Sequence, residues 1–348
     1  MPYELPAEAG ATRRSTILRW ASFLIAVLLV VVVAYLGYVG FAGSAQVTEP
    51  ESPSRDCRTP AIAYGWSYEA INYDAAGDSA LADLPDPTAC PQRGAPAGDA
   101  LQASDGVKLA GWYVPASSGA GPTGATVVLA HGHGANKSGM LAIADVLHEA
   151  YNLVLFDFRN HGQSGDAATT VGVTEQRDLR AVIDWLDATK HPAAIAVLGQ
   201  SMGGAVALQE ARADPRVSAV VLDSTHATLA NALQARLERS GYPLSLPGAW
   251  AILLGGLVRT GQDMSAADPL QAVERLGDRP LLIITGGNDD SIGPDDAQDL
   301  ERAATDAGVD AELEVCEPAG HAESVDACPD DYAGWVLGFL SRALGSAS

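Results

Sequence analysis

The sequence predicts an α/β fold, in which a mostly parallel sheet is covered by helices on both faces and is preceded by one membrane-spanning helix. Short apolar runs alternate with helical stretches from about residue 100 onward, a pattern typical of buried parallel sheets. A long uncharged segment lies near the N-terminus, as a bilayer-crossing helix requires. A serine with a glycine two residues to either side joins one apolar run to a helix of small residues, which indicates a tight turn.

The N-terminal segment predicts a membrane anchor. Residues 20–41 carry no charged side chain, and about 20 such residues cross the hydrocarbon core of a bilayer. Arg13, Arg14 and Arg19 precede this stretch, so the positive-inside rule keeps the N-terminal tail in the cytoplasm. We therefore expect a single-pass protein of the cell membrane with its main domain outside the cytoplasm. A cleaved signal peptide is the alternative, because small residues suited to a peptidase site follow the apolar stretch.

The expected organisation has four parts. They are a cytoplasmic tail over residues 1–16, a transmembrane signal anchor over 17–41, an extracytoplasmic stalk with two cysteines over 42–98, and the α/β domain over 99–346 with a helical cap insert at about 225–280. The insert is predicted where the alternation of strands and helices lapses. It would cover the carboxyl ends of the strands, where open α/β sheets bind ligands.

The α/β domain divides into short apolar runs and amphipathic stretches. The predicted strands are residues 108–114, 126–130, 153–158, 194–198, 217–222, 281–285 and 312–316. The predicted helices are residues 139–150, 175–189, 202–213, 295–307 and 332–344. Strands and helices that alternate in this way favour parallel pairing with crossover helices.

The amino-acid composition excludes some classes of binding partner. The 348 residues include 43 acidic and 21 basic side chains, which gives a formal net charge of -22. Such an acid excess argues against nucleic acid as a partner and against polybasic attachment to anionic lipid. The membrane is therefore expected as a partner only through the N-terminal helix. The sequence contains no Cys-x-x-Cys motif or Cys/His cluster, so we expect no metal and no cofactor.

The four cysteines suit an exported domain, where disulfides persist. Four cysteines allow three pairings. We favour Cys57 with Cys90 and Cys316 with Cys328, because each pair closes a short local loop. The second bond would tie down a loop that carries a histidine near the C-terminus.

The stretch AIAVLGQSMGGAVALQEA at residues 194–211 predicts an exposed serine on a strained turn. An apolar run leads to Ser201, and a helix of small residues follows it. Gly199 and Gly203 flank the serine, where only near-absent side chains fit beside so tight a turn. This Gly-x-Ser-x-Gly pattern is typical of a nucleophilic serine. Because a glycine-rich chain can contain the pattern by chance, the partners of the serine have to be found elsewhere.

Candidate partners of the serine follow later strands. A serine hydroxyl needs a base that takes its proton, and the base needs an acid that fixes its tautomer. His321 follows the last predicted strand, and Asp289 and Asp290 follow the strand before it. Asp223, after an earlier strand, is a further candidate for the acid. The chain order serine, aspartate, histidine is one of the known orders of a Ser-His-Asp triad.

Two backbone N–H groups are expected to stabilise an oxyanion beside the serine. One belongs to Met202, directly after the serine. The other is expected in the loop AHGHGANKSG, where Gly132 and Gly134 free the backbone around His133. Zinc binding by the loop histidines is the alternative, but no third ligand lies nearby in the sequence.

Together these stretches resemble the α/β-hydrolase superfamily, and within it the exported or membrane-anchored serine hydrolases related to monoacylglycerol lipases and serine aminopeptidases. The matching segments are HGHGANKSGM, LVLFDFRNHGQSG, TTVGVTEQRDLRAVIDWL, GQSMGG, VVLDS, GGNDDSIGP and GHAES. The resemblance implies that Asp290 is the acid, because the family pattern G-x-x-D-x-x-x-P aligns with Gly287 and Pro294. Asn160 departs from the glycine that this branch commonly has, in a loop that the resemblance treats as structural.

The resemblance implies a serine hydrolase, with the α/β-hydrolase fold, that cleaves a small-molecule carboxylic ester through an acyl-enzyme. In this scheme Ser201 attacks the ester, His321 carries the proton and Asp290 orients the histidine. An acyltransferase or a serine peptidase with the same triad is an alternative that the sequence does not separate. A non-catalytic, membrane-anchored binding module is a further alternative, which a strained serine turn disfavours.

Overall fold

The computed structural model describes residues 9–50, 58–73, 96, 98–119 and 124–345, with the side chains of the first helix from Leu18 onward. Eight strands in this described part form one sheet. They are β1 (Glu69–Ile71), β2 (Gly111–Val114), β3 (Thr126–Ala130), β4 (Asn152–Phe156), β5 (Ile195–Gln200), β6 (Val217–Asp223), β7 (Leu281–Gly286) and β8 (Ala311–Cys316). Their order across the sheet is β1-β2-β4-β3-β5-β6-β7-β8.

The sheet is mostly parallel, which confirms the predicted fold class. Strands β3 to β8 pair in parallel. At one edge β2 pairs antiparallel with β4, and β1 pairs antiparallel with β2. Strand β1 lies in a segment for which the sequence predicted no regular element, and it lengthens the antiparallel edge.

Helices cover both faces of the sheet. The described α-helices are α1 (Ala9–Thr48), α2 (Pro60–Tyr64), α3 (Leu141–Leu147), α4 (Glu175–Thr189), α5 (Met202–Ala211), α6 (Leu229–Arg239), α7 (Ser245–Thr260), α8 (Pro269–Val273), α9 (Pro294–Asp306), α10 (Ser324–Ala327) and α11 (Pro329–Leu344). Short 3-10 helices at Lys137–Met140 and Met264–Ala267 precede α3 and α8.

Strand β3 shows how the sheet builds two cores. Successive side chains of a strand point to opposite faces. Val127 and Leu129 belong to the core with α3 and α11, whereas Val128 and Ala130 belong to the core with α4 and α5. All five residues of β3 are buried, which explains why the strand reads as a continuous apolar run. The carboxyl ends of the parallel strands therefore meet at one edge of a firmly packed sheet.

Helices α6 and α7 form a cap between β6 and β7, where the sequence predicted a helical insert. Helix α6 begins after Thr228, whose hydroxyl accepts the N–H of Asn231. Its buried residues Leu229, Leu233 and Leu237 recur every four positions and form one apolar stripe. Helix α6 packs on the body of the protein through this stripe.

Helix α1 ends at Thr48, beyond the predicted anchor boundary at residue 41, so the stalk expected to begin at residue 42 begins inside this helix. The last turns of α1 pack directly on α7. A Cβ on Gly40 would lie 2.6 Å from the carbonyl oxygen of Ala251, and a Cβ on Gly255 would lie 2.4 Å from that of Gly40. Backbones approach this closely only where residues are small, as between helices in membranes. The first helix and the cap are therefore one packed unit.

Residues 18–31 of α1 lie away from the rest of the described protein. Their side chains are all exposed. Within the described residues one stretch, Leu18–Thr48, is long and apolar enough to cross a membrane, a test that signal sequences also pass. Helix α1 is thus a candidate transmembrane helix.

A disulfide joins Cys316 and Cys328, as the sequence predicted. Cys316 is the last residue of β8, and Cys328 lies directly before α11. The bond therefore closes the loop that carries His321. The other predicted pair, Cys57 and Cys90, lies outside the described residues.

Candidate active site

Ser201 lies on the turn between β5 and α5, with a φ of 53° and a ψ of -117°. A positive φ at a non-glycine residue is strained. The Ser201 N–H donates to the carbonyl of Asp223 at 2.8 Å, which holds the turn against β6. A Cβ on Gly199 would lie 2.3 Å from the carbonyl oxygen of Gly203, and a Cβ on Gly203 would lie 2.0 Å from that of Ala130. Only glycine fits at either position.

Three side chains line up beside this turn. Oγ of Ser201 lies 3.2 Å from Nε2 of His321, and Nδ1 of His321 lies 2.8 Å from Oδ2 of Asp289. An ionised carboxylate only accepts, so Nδ1 carries the ring proton and Nε2 accepts from the serine hydroxyl. The Asp289 side chain is fully buried, whereas that of His321 is 29% exposed. Such an array can take the serine proton and stabilise the imidazolium that forms.

The structure places Asp289 against the histidine, which corrects the expected position of Asp290. The side chain of Asp290 is 81% exposed and lies 3.6 Å from Arg239. Strand β7 ends at Gly286, and the pattern G-x-x-D reaches Asp289 when it is counted from Gly286 instead of Gly287. The doubled glycine allowed both alignments. A shift of one residue turns the carboxylate from the histidine to solvent.

Asp289 is held in place by its own loop. Its Oδ1 accepts the N–H groups of Ser291 and Ile292, each at 2.8 Å. This leaves Oδ2 for the histidine. An aspartate that bonds the backbone two residues ahead fixes a turn, so the carboxylate is positioned before any substrate binds.

Asp223, the third candidate acid, ends β6 beside the array. Its Oδ2 accepts from Nε2 of Gln200 at 3.2 Å and from the hydroxyl of Tyr332 at 3.3 Å. Its Oδ1 accepts from Oγ of Ser224 at 3.1 Å, and Ser224 Oγ in turn accepts the N–H of Ala322 at 3.0 Å. Burial raises the pKa of Asp223. The end of β6 therefore positions the histidine loop. This role was not predicted from the sequence, although the polar pair Asp223 and Ser224 at the end of an apolar run is a signal for it.

The loop after β3 runs beside Ser201. A Cβ on Gly132 would lie 3.3 Å from the Cβ of Ser201. The ring of His131 supports this loop: its Nδ1 donates to the carbonyl of Gly132 at 2.8 Å, and its Nε2 accepts the N–H of Phe158 at 3.0 Å. These two bonds require a neutral ring, and burial lowers the pKa of His131 accordingly.

His161 supports the same loop from the other side. Its Nδ1 donates to the carbonyl of Arg159 at 2.8 Å, and its Nε2 accepts the N–H of Gly134 at 3.0 Å. Burial lowers the pKa of His161 to about 3. Nothing in the sequence indicated this role of His161. The loop beside Ser201 is thus held by two neutral histidines.

The end of α1 closes this side of the site. Nε2 of His133 donates to the carbonyl of Val47 at 2.9 Å, and burial lowers the pKa of His133. The carbonyl of Thr48 accepts the N–H of Thr169 at 2.9 Å and the side-chain amide of Asn160 at 3.5 Å. The last turn of α1 is therefore a wall of the site.

The two residues predicted to stabilise an oxyanion, Met202 and His133, lie in the two elements beside Ser201. Met202 is the first residue of α5 and is buried, and His133 follows Gly132 in the loop beside the serine. Among the described residues no three His, Cys, Asp or Glu side chains are grouped so that they could hold a metal ion.

Known proteins similar to this chain identify its family. A family model described as the alpha/beta hydrolase family matches residues 127–335. The Escherichia coli K12 protein YfhR is 32% identical over 146 residues, which cover 41% of this chain and 51% of that protein. Protein bem46 of Schizosaccharomyces pombe is 26% identical over 176 residues, which cover 49% of this chain and 52% of that protein. The chain thus spans about half the length of these relatives.

Solved structures share the fold. The Pyrococcus furiosus esterase Pf2001 aligns with a TM-score of 0.62 at 23% identity, over 83% of this chain and 96% of that chain. An acylaminoacyl peptidase of Pyrococcus horikoshii aligns with a TM-score of 0.52 at 16% identity, over 68% of this chain and 39% of that chain. Because the family model covers more than half of its length, this chain belongs to the alpha/beta hydrolase family.

Proposed function

We propose that the chain is a serine hydrolase that cleaves a carboxylic ester through an acyl-enzyme. The observation that carries the proposal is the array from Ser201 Oγ through the His321 ring to Asp289. Ser201 attacks the carbonyl carbon while His321 takes its proton, and the same proton then goes to the leaving alcohol. Water, activated by His321, discharges the acyl group. Asp289 orients the ring throughout and stabilises its cation.

The proposed oxyanion site consists of the backbone N–H groups of Met202 and His133. Met202 opens α5, so its N–H is one of the unsatisfied donors at a helix N-terminus. A Cβ on Gly132 would lie 3.3 Å from the Cβ of Ser201, so the loop that carries His133 runs close to the serine, which supports a second donor at His133. Backbone donors fixed before the reaction are typically the largest source of stabilisation for a tetrahedral intermediate.

Replacement of the serine tests the proposal directly. Ser201→Ala should abolish labelling by a fluorophosphonate and hydrolysis of p-nitrophenyl esters, whereas Ser218→Ala, a change on β6, should keep both. Activity or labelling that survives in Ser201→Ala would refute the proposed nucleophile. Adding a p-nitroanilide and an acceptor alcohol to the same assay separates ester hydrolysis from peptidase and acyltransferase activity.

We propose that the acyl chain enters a cavity between the first helix and the cap, which favours short to medium chains. The cavity has a volume of about 190 Å³ and lies between α1, α6 and α7, where Val47, Leu233 and Leu237 contribute to its lining. Pockets for drug-sized ligands begin at about 300 Å³. We therefore expect turnover of graded p-nitrophenyl esters to peak at short or medium chains. A peak at long chains would contradict this assignment of the cavity.

We further propose that α1 is retained as an uncleaved anchor with the hydrolase domain outside the cytoplasm. The contacts of Val47 with His133 and of Thr48 with Thr169 support retention, because cleavage near Ala45 would cut the helix that makes them. The intact mass of the membrane-bound protein should include residues before Leu18. Protease added to intact cells should degrade the domain. A mass that begins after Ala45, or a domain that is digested only after lysis, would contradict the respective part of this proposal.

A further inference from the structure

The cap carries an exposed apolar face on α7. Trp250, Leu254 and Val258 are 55%, 62% and 80% exposed. They recur every four residues and therefore share one side of the helix. Exposed apolar residues continue this face at the N-terminal end of the helix and in the turn before it: Tyr242, Leu244 and Leu246. Contiguous exposed apolar surface of this kind marks a contact with a partner or with a membrane. We call residues 241–246 the cap corner.

The sequence of this region sets it apart from the rest of the chain. Residues 240–258 contain no charged side chain, although the whole chain has a formal net charge of -22. A surface that faced water in so acidic a protein would carry charges. The cap corner and α7 therefore have the composition of a segment in contact with lipid or with another apolar surface.

The cap corner lies at the level of the apolar part of α1. The hydroxyl of Tyr35 donates to the carbonyl of Pro243 at 2.7 Å. At the other end of α7, Arg259 donates to Oγ of Ser44 at 2.9 Å and to the carbonyl of Phe41 at 3.0 Å. Helix α7 thus runs beside α1 in the same direction. Its N-terminal end is level with the uncharged stretch, and its cationic end is nearer to the active site.

Helix geometry relates this level to a bilayer. A helix rises 1.5 Å per residue, so about 20 residues cross a hydrocarbon core of about 30 Å. Counted from Trp20, where the uncharged stretch begins, that span reaches to about residue 40, which is beyond Tyr35. An element bonded to Tyr35 would then lie at the outer edge of the bilayer. Trp and Tyr are the side chains enriched at this depth.

We propose that the cap corner and the exposed face of α7 rest in the lipid leaflet through which α1 leaves the bilayer. The proposal rests on the proposed anchor, which supplies the membrane. Lipid is the occupant that fits, because this face adjoins a helix whose own side chains are exposed over residues 18–31. Because α7 runs alongside α1, the cap corner at its N-terminal end lies nearest to the acyl chains, and Arg259 at its other end lies farthest from them.

Quenching of tryptophan fluorescence by brominated lipid tests the proposal. The full chain is placed in phosphatidylcholine nanodiscs, one chain per disc, with bromine either near the ester linkage or near the chain end. Trp250→Phe should remove a large share of the fluorescence that the shallow bromine quenches, and a smaller share of that quenched by the deep bromine. Trp66→Phe is the matched control, since Trp66 stacks between Tyr64 and His148 and should contribute nothing that lipid quenches.

The outcomes separate this proposal from the proposed anchor. Trp20 lies at the start of the apolar stretch, so Trp20→Phe reports whether α1 is in the bilayer. If Trp20 is quenched and Trp250 is not, the anchor stands and the lipid contact of the cap is wrong, and a second copy or another protein must cover α7. If neither is quenched, both proposals fail. Should Trp250→Phe lower the melting temperature, a second variant keeps the test valid. Adding Leu254→Trp to Trp250→Phe puts a tryptophan at an exposed position on the same face, and quenching by the shallow bromine should then return.

Discussion

On one side of the serine, the ends of β6, β7 and β8 supply the side chains Asp223, Asp289 and His321, each set by a loop of a few residues. On the other side, the loop after β3 faces the end of α1, and its contacts join residues that are far apart in the sequence. His133 and Val47 are separated by 86 positions. The first side, which we call the strand-end side, is thus built from local turns at the edge of one sheet. The second, which we call the α1 side, exists only when the first helix packs on the cap.

The two sides are sensitive to different kinds of substitution. Strand ends are fixed by the sheet, so a change there alters one side chain and leaves the backbone in place. The α1 side depends on the packing of α1 on α7. Because well-packed helices tolerate little extra volume, a larger side chain between them shifts the backbone of α1 and, with it, the loop beside Ser201. A change in α1 far from the serine should therefore reach the site, whereas an exposed residue next to the array should not matter.

The largest expected effect comes from breaking the strand-end side. Asp289→Asn should lower ester turnover by up to about four orders of magnitude, because an amide in place of the acid favours the wrong histidine tautomer. Asp290→Asn is the matched control and should be close to wild type, since that side chain is 81% exposed. Turnover and melting temperature of both variants provide the check. Equal turnover in the two variants would remove Asp289 from the proposed triad.

The next effect comes from breaking the α1 side. Gly40→Ala puts a Cβ 2.6 Å from the carbonyl oxygen of Ala251 and should cost about 1–3 kcal/mol of stability, with a parallel loss of turnover. Gly37→Ala, one turn earlier on the same helix, meets nothing within 4 Å. It should be neutral or gain up to about 1 kcal/mol. Melting temperatures in detergent and ester turnover compare the pair, and identical behaviour would show that the packing of α1 on α7 does not support the site.

The two sides also differ in how far the sequence predicted them. Most of the strand-end side could be predicted, because Ser201 and His321 directly follow apolar runs that are typical of buried strands. Its one error, Asp290 for Asp289, came from two adjacent glycines that left the turn ambiguous by one residue. Sequence spacing alone does not say which glycine ends the strand. The backbone hydrogen bonds of β7 decide that point.

The α1 side was not predicted because nothing in a transmembrane pattern tells which face packs on protein. The packed end of α1 differs from the exposed part in its small residues, among them Gly40, Gly43 and Ser44. Small residues alone do not say which element packs on them. The supporting histidines His131 and His161 look like ordinary loop residues in the sequence. Their role depends on backbone groups brought together by the fold.

The smallest expected effect distinguishes the two sides by pH. His161 is neutral in the folded protein because burial lowers its pKa to about 3, whereas an unfolded histidine titrates near 6.5. Below pH of about 6.5 the unfolded state therefore binds more protons than the folded state. The stability that neutral His161 contributes is fully present above that pH and is lost as the pH falls toward the folded pKa. We expect the melting temperature to decline from about pH 6.5 downward.

The variant His161→Asn should flatten this decline, because an amide offers one donor and one acceptor for Arg159 and Gly134 without a titrating group. The decline should persist in part, since burial also lowers the pKa of His131, of His133 and, to about 4, of His226. His191→Asn is the matched control: the residue is exposed, and asparagine tolerates its φ of 49°. Melting curves from pH 7 to pH 5 measure the three proteins. If His161→Asn declines as steeply as His191→Asn, protonation of His161 does not limit the stability of the α1 side, and the decline belongs to other buried groups such as His131, His133 and His226.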